Sequence, residues 1–188
     1  MYNGLETMQN DVNIIEQVLA GDTEAFRFLV ERYERPVLSF VQHLLLDPGD
    51  SPDLAQEVFL TAYAKLSCFD PAFSRFSTWL FTIARNKTIN TNKRKRPHAV
   101  SVLPERKLHV DVAEDLSRRE LFNKLDAALA KLPAKQRRAF ILAQIEQLPY
   151  EDVAQIEGTR VGTIKSRVNR AKEKLRASLT ANLRDSHA

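Results

Sequence analysis

LPYEDVAQIEGTRVGTIKSRVNRAKEKLR, residues 148–176, places a short amphipathic segment, a glycine and a long basic segment in succession. Val153, Ala154 and Ile156 are the packing residues of the first segment, and Gly158 can supply the left-handed turn that ends a helix. A second helix begins near Val161. On its wheel Val161, Ile164, Val168, Ala171 and Leu175 share one face. Gly162, Ser166, Asn169, Arg170 and Glu173 lie opposite, flanked by Thr163 and Lys165. Between Arg160 and Arg176 stand seven cations and one anion, Glu173. This is a helix-turn-helix pattern. Its polar front fits a major groove, where Arg or Lys donates to guanine and Asn to adenine, while other cations neutralise phosphates. Charge alone allows a second reading, a solvated amphipathic helix at the end of a bundle. The short preceding helix, Gly158 and the small residues Gly162, Thr163 and Ser166 favour DNA.

Upstream, helical periodicity continues back to residue 116. Leu121, Leu125, Leu129 and Leu132 form one stripe, Pro133 opens the next helix, and Phe140, Ile141, Ile145 and Leu148 are core candidates. Residues 97–115, PHAVSVLPERKLHVDVAED, break the pattern with two prolines and read as an inter-domain linker. The sequence thus predicts two small all-α domains, 10–96 and 116–184.

In the first domain Ile14, Ile15, Val18 and Leu19 recur at helical spacing before Gly21 breaks the run. Thr23 is placed to cap the next helix, whose broad apolar face runs from Phe26 to Leu45, with Pro36 expected to kink it. DPGDSP is a turn, and residues 52–66 form another helix. The last helix, FSTWLFTIARNKTINTNKRKRP at 76–97, carries six cations between Arg85 and Arg96, with Asn86, Asn90 and Asn92 among them. Locally this suits a membrane-surface helix, a core helix with a solvated tail, or a nucleic-acid surface. Trp79, Leu80 and Ile83 share a face and read as core, whereas Phe76 and Phe81 are placed to stack on unpaired bases. The preceding loop, SCFDPAFSRF, has a length suited to wrapping a nucleotide turned out of its stack.

The 188 residues are 44% hydrophobic and 28% charged, which suits a globular chain with a sizeable core. The formal charge is only +4, so its distribution matters more than its sum. The lone Cys68 excludes an internal disulfide and a CxxC site, and reads either as an inert thiol or as a redox sensor. The polar start, Met1–Asp11, is no signal peptide, and no apolar run reaches the ~18 residues of a membrane span. A cytoplasmic protein that is not integral to a membrane is expected. The four histidines are scattered and Asp53 and Glu57 stand alone as a carboxylate pair, so neither a metal nor a cofactor is expected. No small-molecule substrate is implied, and an enzyme acting on nucleic acid lacks clustered carboxylates or a nucleophile with its base.

Two stretches carry a family resemblance. DLAQEVFLTAYAKLSCFDPAFSRFSTWLFTIARNKTIN, residues 53–90, resembles the second region of extracytoplasmic-function (ECF) sigma factors of the σ70 type. LPAKQRRAFILAQIEQLPYEDVAQIEGTRVGTIKSRVNRAKEKLR, residues 132–176, resembles their fourth region. The resemblance implies an alternative sigma factor that binds core RNA polymerase, reads promoter DNA at −35 and −10 elements and helps to melt it. It assigns Asp53, Gln56, Glu57 and Phe59 to the polymerase, and Phe69, Phe76, Asn86, Lys87, Asn90 and Lys93 to the −10 strand, with the loop Phe69–Phe76 receiving a flipped base. It assigns Arg160, Thr163, Lys165, Ser166, Arg167, Asn169 and Arg170 to the −35 element. Some relatives carry an aromatic residue where Asn169 stands, so no base preference transfers. An anti-sigma factor is an implied partner. The competing reading is a helix-turn-helix regulator that binds duplex DNA as a dimer without polymerase.

Overall fold

The computed structural model describes residues 4–95 and 125–185, with side chains described for 7–95 and 125–178. The linker, residue Arg96, Leu121 and the start of the second domain fall outside the described residues. No strand occurs among the described residues.

Helix α1 (Gly4–Leu19) buries Ile14, Ile15 and Val18 and ends before Gly21, whose φ of +112° no side chain adopts comfortably. The expected Thr23 cap is not made. Thr23 instead opens a 3₁₀ turn, Thr23–Ala25, that makes no side-chain capping bond, and α2 starts at Phe26. Helix α2 (Phe26–Leu44) runs through Pro36 and buries Phe26, Leu29, Tyr33, Val37, Phe40, Val41 and Leu44. Asp47 accepts from the Gly49 amide at 3.0 Å in the turn that follows, and this bond holds its carboxyl below the usual carboxylate range. Helix α3 (Ser51–Ala64) and helix α4 (Phe76–Lys95) complete the first half.

Asn92 ties α4 to the end of α2. Its amide donates to the Leu44 carbonyl at 2.9 Å and its oxygen accepts from the Leu46 N–H at 3.0 Å. The Leu44 carbonyl is one of those that a helix C-terminus leaves without an intrahelical partner. Asn92, read from sequence as one of the polar residues in the basic zone, is a staple in the fold.

The second half comprises helical residues 125–130 (α5), α6 (Ala134–Phe140), α7 (Tyr150–Glu157) and α8 (Val161–Asp185). Helix α6 widens into one π-helical turn, Ile141–Ile145. Gly158 adopts φ +61° and closes α7 in the left-handed conformation, as its place in the sequence predicts. Leu129 and Leu132 pack with Ala128, Ala171 and Leu175 in a satellite core.

The main core is continuous across both halves. Leu29, Phe40, Val58, Leu80 and Phe81 of the first half belong to the same apolar cluster as Leu142, Val153, Ile156, Ile164 and Val168 of the second. Helix α7 packs on α4, and α6 reaches α2.

Candidate nucleic-acid interface

Helix α8 is held by its back. Ile164, Val168, Ala171 and Leu175 are buried, which turns Arg160, Lys165, Ser166, Asn169 and Arg170 out to solvent around the start of the helix and leaves Thr163 half-buried. The predicted −35 residues therefore form one polar surface, except that Arg167 leans back toward Glu157 with 3.5 Å between Nη1 and Oε2.

Glu157 was not among the residues read as functional. Its side chain is 1% exposed and is ringed by three guanidinium groups. Arg138 of α6 grips it through two bonds, 2.7 Å from Nε and 3.0 Å from Nη2. Arg85 of α4 donates from Nε at 3.1 Å, and its Nη1 donates to Asn86 Oδ1 at 2.8 Å. A buried carboxylate needs such partners, because stripping its water without them costs several kcal/mol, of order.

On α4, Asn86, Asn90 and Lys93 are exposed, and Lys87 is half-buried in an ion pair with Glu57 Oε2 at 3.1 Å. The loop aromatics divide differently from expectation. Phe76 is 1% exposed and Phe69 9% exposed, and they pack edge-on at 5.8 Å with Trp79 close to both. Phe81 is likewise buried, edge-on to Phe40 at 5.3 Å. These rings offer no open face to a base in this arrangement. The exposed ring of the loop is Phe73, 81% exposed, which sequence reading left unassigned. Trp79 packs against the core as expected.

On α3, Asp53, Gln56 and Glu57 are exposed while Phe59 is buried in the core. Gln56 and Phe59 line a groove of about 690 Å³ between α2 and α3 together with Val30, Leu38, Leu60 and Tyr63. Leu60, 62% exposed, and Tyr63 are the large apolar side chains that this helix shows to solvent. Among the described residues no group of His, Cys, Asp and Glu is placed to hold a metal ion, and no helix is long and apolar enough to cross a membrane.

The family model for sigma-70 region 2 matches residues 29–97, and that for sigma-70 region 4 matches residues 122–175. The chain is 32% identical over 185 residues to the ECF RNA polymerase sigma factor SigW of Bacillus subtilis, covering 88% of this chain and 94% of that one. The chain belongs to the ECF family of RNA polymerase sigma factors. An ECF sigma factor binds core RNA polymerase and directs initiation at particular promoters, and members of the family are DNA-binding initiation factors. Two solved relatives share the fold at a TM-score of 0.70. One is CnrH in complex with the cytosolic domain of CnrY, 26% identical, covering 89% of this sigma factor and 96% of that chain. The other is the sigma factor RpoE in complex with the anti-sigma factor NepR from Bartonella quintana, 31% identical, covering 82% and 96% respectively.

Proposed function

We propose that this sigma factor reads the −35 element as duplex through Arg160, Thr163, Lys165, Ser166, Asn169 and Arg170, with Arg167 joining them. The observation that carries the reading is the sidedness of α8, whose back is buried in a core while its front is a row of exposed donors and cations. Such a helix lies in a major groove with its first turns against the base edges.

Asn86, Asn90, Lys93 and Lys87 then face the melted −10 strand, and the exposed ring of Phe73 stacks on a base turned out of the duplex. Phe69, Phe76 and Trp79 support that loop from below through their mutual packing. Capture of a flipped base favours the open promoter because the protein binds that state better. The face of α3 with Asp53, Gln56, Glu57 and Leu60 meets the polymerase, and the groove beside it belongs to the same surface. The factor works in the cytoplasm, where promoter DNA and polymerase are, and carries no catalytic centre of its own. An anti-sigma factor is its regulator, a reading supported by the solved relative RpoE, which is held by the anti-sigma factor NepR.

Run-off transcription with core polymerase and a promoter-fragment library tests the reading. Selection of start sites that share −35 and −10 sequences is expected. Duplex binding as a dimer, with no start-site selection when core enzyme is added, would refute it.

A further inference from the structure

The loop proposed to capture a base is clamped at both ends by one aromatic box. Phe69 enters the loop and Phe76 leaves it, and their buried rings sit edge-on, 5.8 Å apart. Trp79, about one turn further along α4, closes on them at 5.6 and 5.8 Å. Between the clamped ends Asp70 folds the tip. Its Oδ1 accepts from the Ala72 N–H at 2.8 Å, and its carbonyl accepts from the Phe73 N–H at 3.2 Å. The exposed Phe73 ring thus stands on a short turn whose footing is the box.

The fourth wall of the box comes from another helix. The Tyr33 ring of α2 tilts against Phe76 with 5.6 Å between centroids. Its hydroxyl reaches α1, where Tyr33 Oη donates to Asp11 Oδ2 at 2.5 Å. Asp11 is buried, and its other oxygen takes a bond from Arg32. Burial pushes this carboxyl up, against the opposing bonds from Tyr33 and Arg32. A buried carboxylate is a costly way to fill a core, and apolar side chains of similar volume often serve stability as well or better. What it adds is direction. Apolar contact is non-directional and lets a ring tilt and slide over its neighbours. An anchored phenol keeps one tilt, because a hydrogen bond weakens steeply off its line.

We infer that Asp11 and Tyr33 are positioning residues for promoter opening: the bond between them fixes the Tyr33 ring, the ring fixes Phe76, and Phe76 sets where the loop holds Phe73. The inference rests on the base-capturing role proposed above for that loop. Neither residue touches DNA or polymerase in this scheme. A stacking site works only when the shell behind it is firm, and about 1 Å of looseness is enough to spoil one.

The test cuts the bond from each side. Tyr33→Phe keeps the ring and removes the hydroxyl. Asp11→Ala removes the acceptor, and Arg32, a quarter exposed, recovers water there. Each full-length variant is assembled with core polymerase and given two promoters, an ordinary duplex and one whose −10 region is mismatched and already unpaired. A fluorescent base near −10 follows opening of the duplex, and run-off transcript is measured from both. Opening is expected to slow about five- to tenfold in both variants, part of what a charge-assisted bond supplies. Transcript from the unpaired promoter should stay near the wild-type yield. The double variant should open no more slowly than the slower single one, since both substitutions cut the same bond. A factor merely loosened in its core loses yield on both promoters alike, and that result overturns the positioning role. So does wild-type opening in Tyr33→Phe, which decides the matter by itself if Asp11→Ala does not fold, and so does a double variant whose slowing multiplies. Phe73→Ala, run alongside, keeps the two readings apart. Normal opening in Phe73→Ala sinks the role of the loop and the positioning with it. Slow opening in Phe73→Ala beside normal opening in Tyr33→Phe sinks the positioning alone.

Discussion

Moving the free factor from pH 8 to pH 6 should close it further, and Glu146 provides the reason. This residue follows the π-helical turn and lies against α2 of the other half, where Ser39 Oγ donates to its carboxylate at 2.8 Å. Burial pushes its carboxyl up from 4.5 to about 7, against the smaller opposing pull of the Ser39 bond and of His43. His43 stands between the halves, with Nδ1 donating to the Ser39 carbonyl at 2.7 Å and Nε2 3.2 Å from Asp126. Both ring nitrogens thus face acceptors. The closed form binds the Glu146 proton more tightly than an opened form with a solvated carboxyl does. Its stabilisation by that proton is therefore complete below pH 4.5 and lost as pH rises through about 7. Taking 4.5 for the open form and about 7 for the closed one, the closed-to-open ratio rises at most about tenfold between pH 8 and pH 6, or ~1.3 kcal/mol. Scattering across that range reads the change as a falling radius of gyration. Glu146→Gln imitates the neutral carboxyl and should make the factor at pH 8 resemble wild type at pH 6. A response of the same size in wild type and in Glu146→Gln, or a radius that grows on acidification, would refute the reasoning.

Three further perturbations probe other parts of the molecule. Arg170→Ala should weaken duplex binding by about 1–3 kcal/mol and relax preference at one −35 base pair, as read by binding to single-base variants; intact discrimination would mean a phosphate contact only. Phe73→Ala should leave the unfolding midpoint within about 0.5 kcal/mol of wild type, the ring being so exposed, yet slow promoter opening followed by a fluorescent base near −10. Phe40→Ala, which removes a fully buried ring and its edge-on contact with Phe81, should cost about 3–5 kcal/mol in chemical denaturation.

Much of the second half was legible because its signals are local. A glycine after a short amphipathic run is where a helix can turn left-handed, and the spacing of Ile164, Val168, Ala171 and Leu175 marks the buried back of α8 without reference to anything distant. The first half misled where a choice depended on rotation by one residue. Phe59 and Leu60 are neighbours of similar character, and only the packing of α3 against α2 and α4 sends the first inward and the second to solvent. The same holds in the loop, where three phenylalanines look alike in sequence and the fold buries Phe69 and Phe76 while exposing Phe73. Glu157 was invisible for a different reason. An acidic residue at the end of a short helix ordinarily faces water, and its three arginines come from positions 72, 19 and 10 residues away. Lys87 and Glu57, assigned to DNA and to polymerase respectively, meet as an ion pair thirty residues apart, which periodicity does not disclose.

The shared apolar core has a bearing on the life of the molecule between rounds of transcription. Val153 and Ile156 on one side and Leu80 and Phe81 on the other keep each other dry only while the halves are joined. A copy that opens with no enzyme to receive it presents greasy flanks to its surroundings, the kind of surface that proteases and chaperones recognise. Folding up is then a means of storage, since each joined molecule wraps its own apolar flanks.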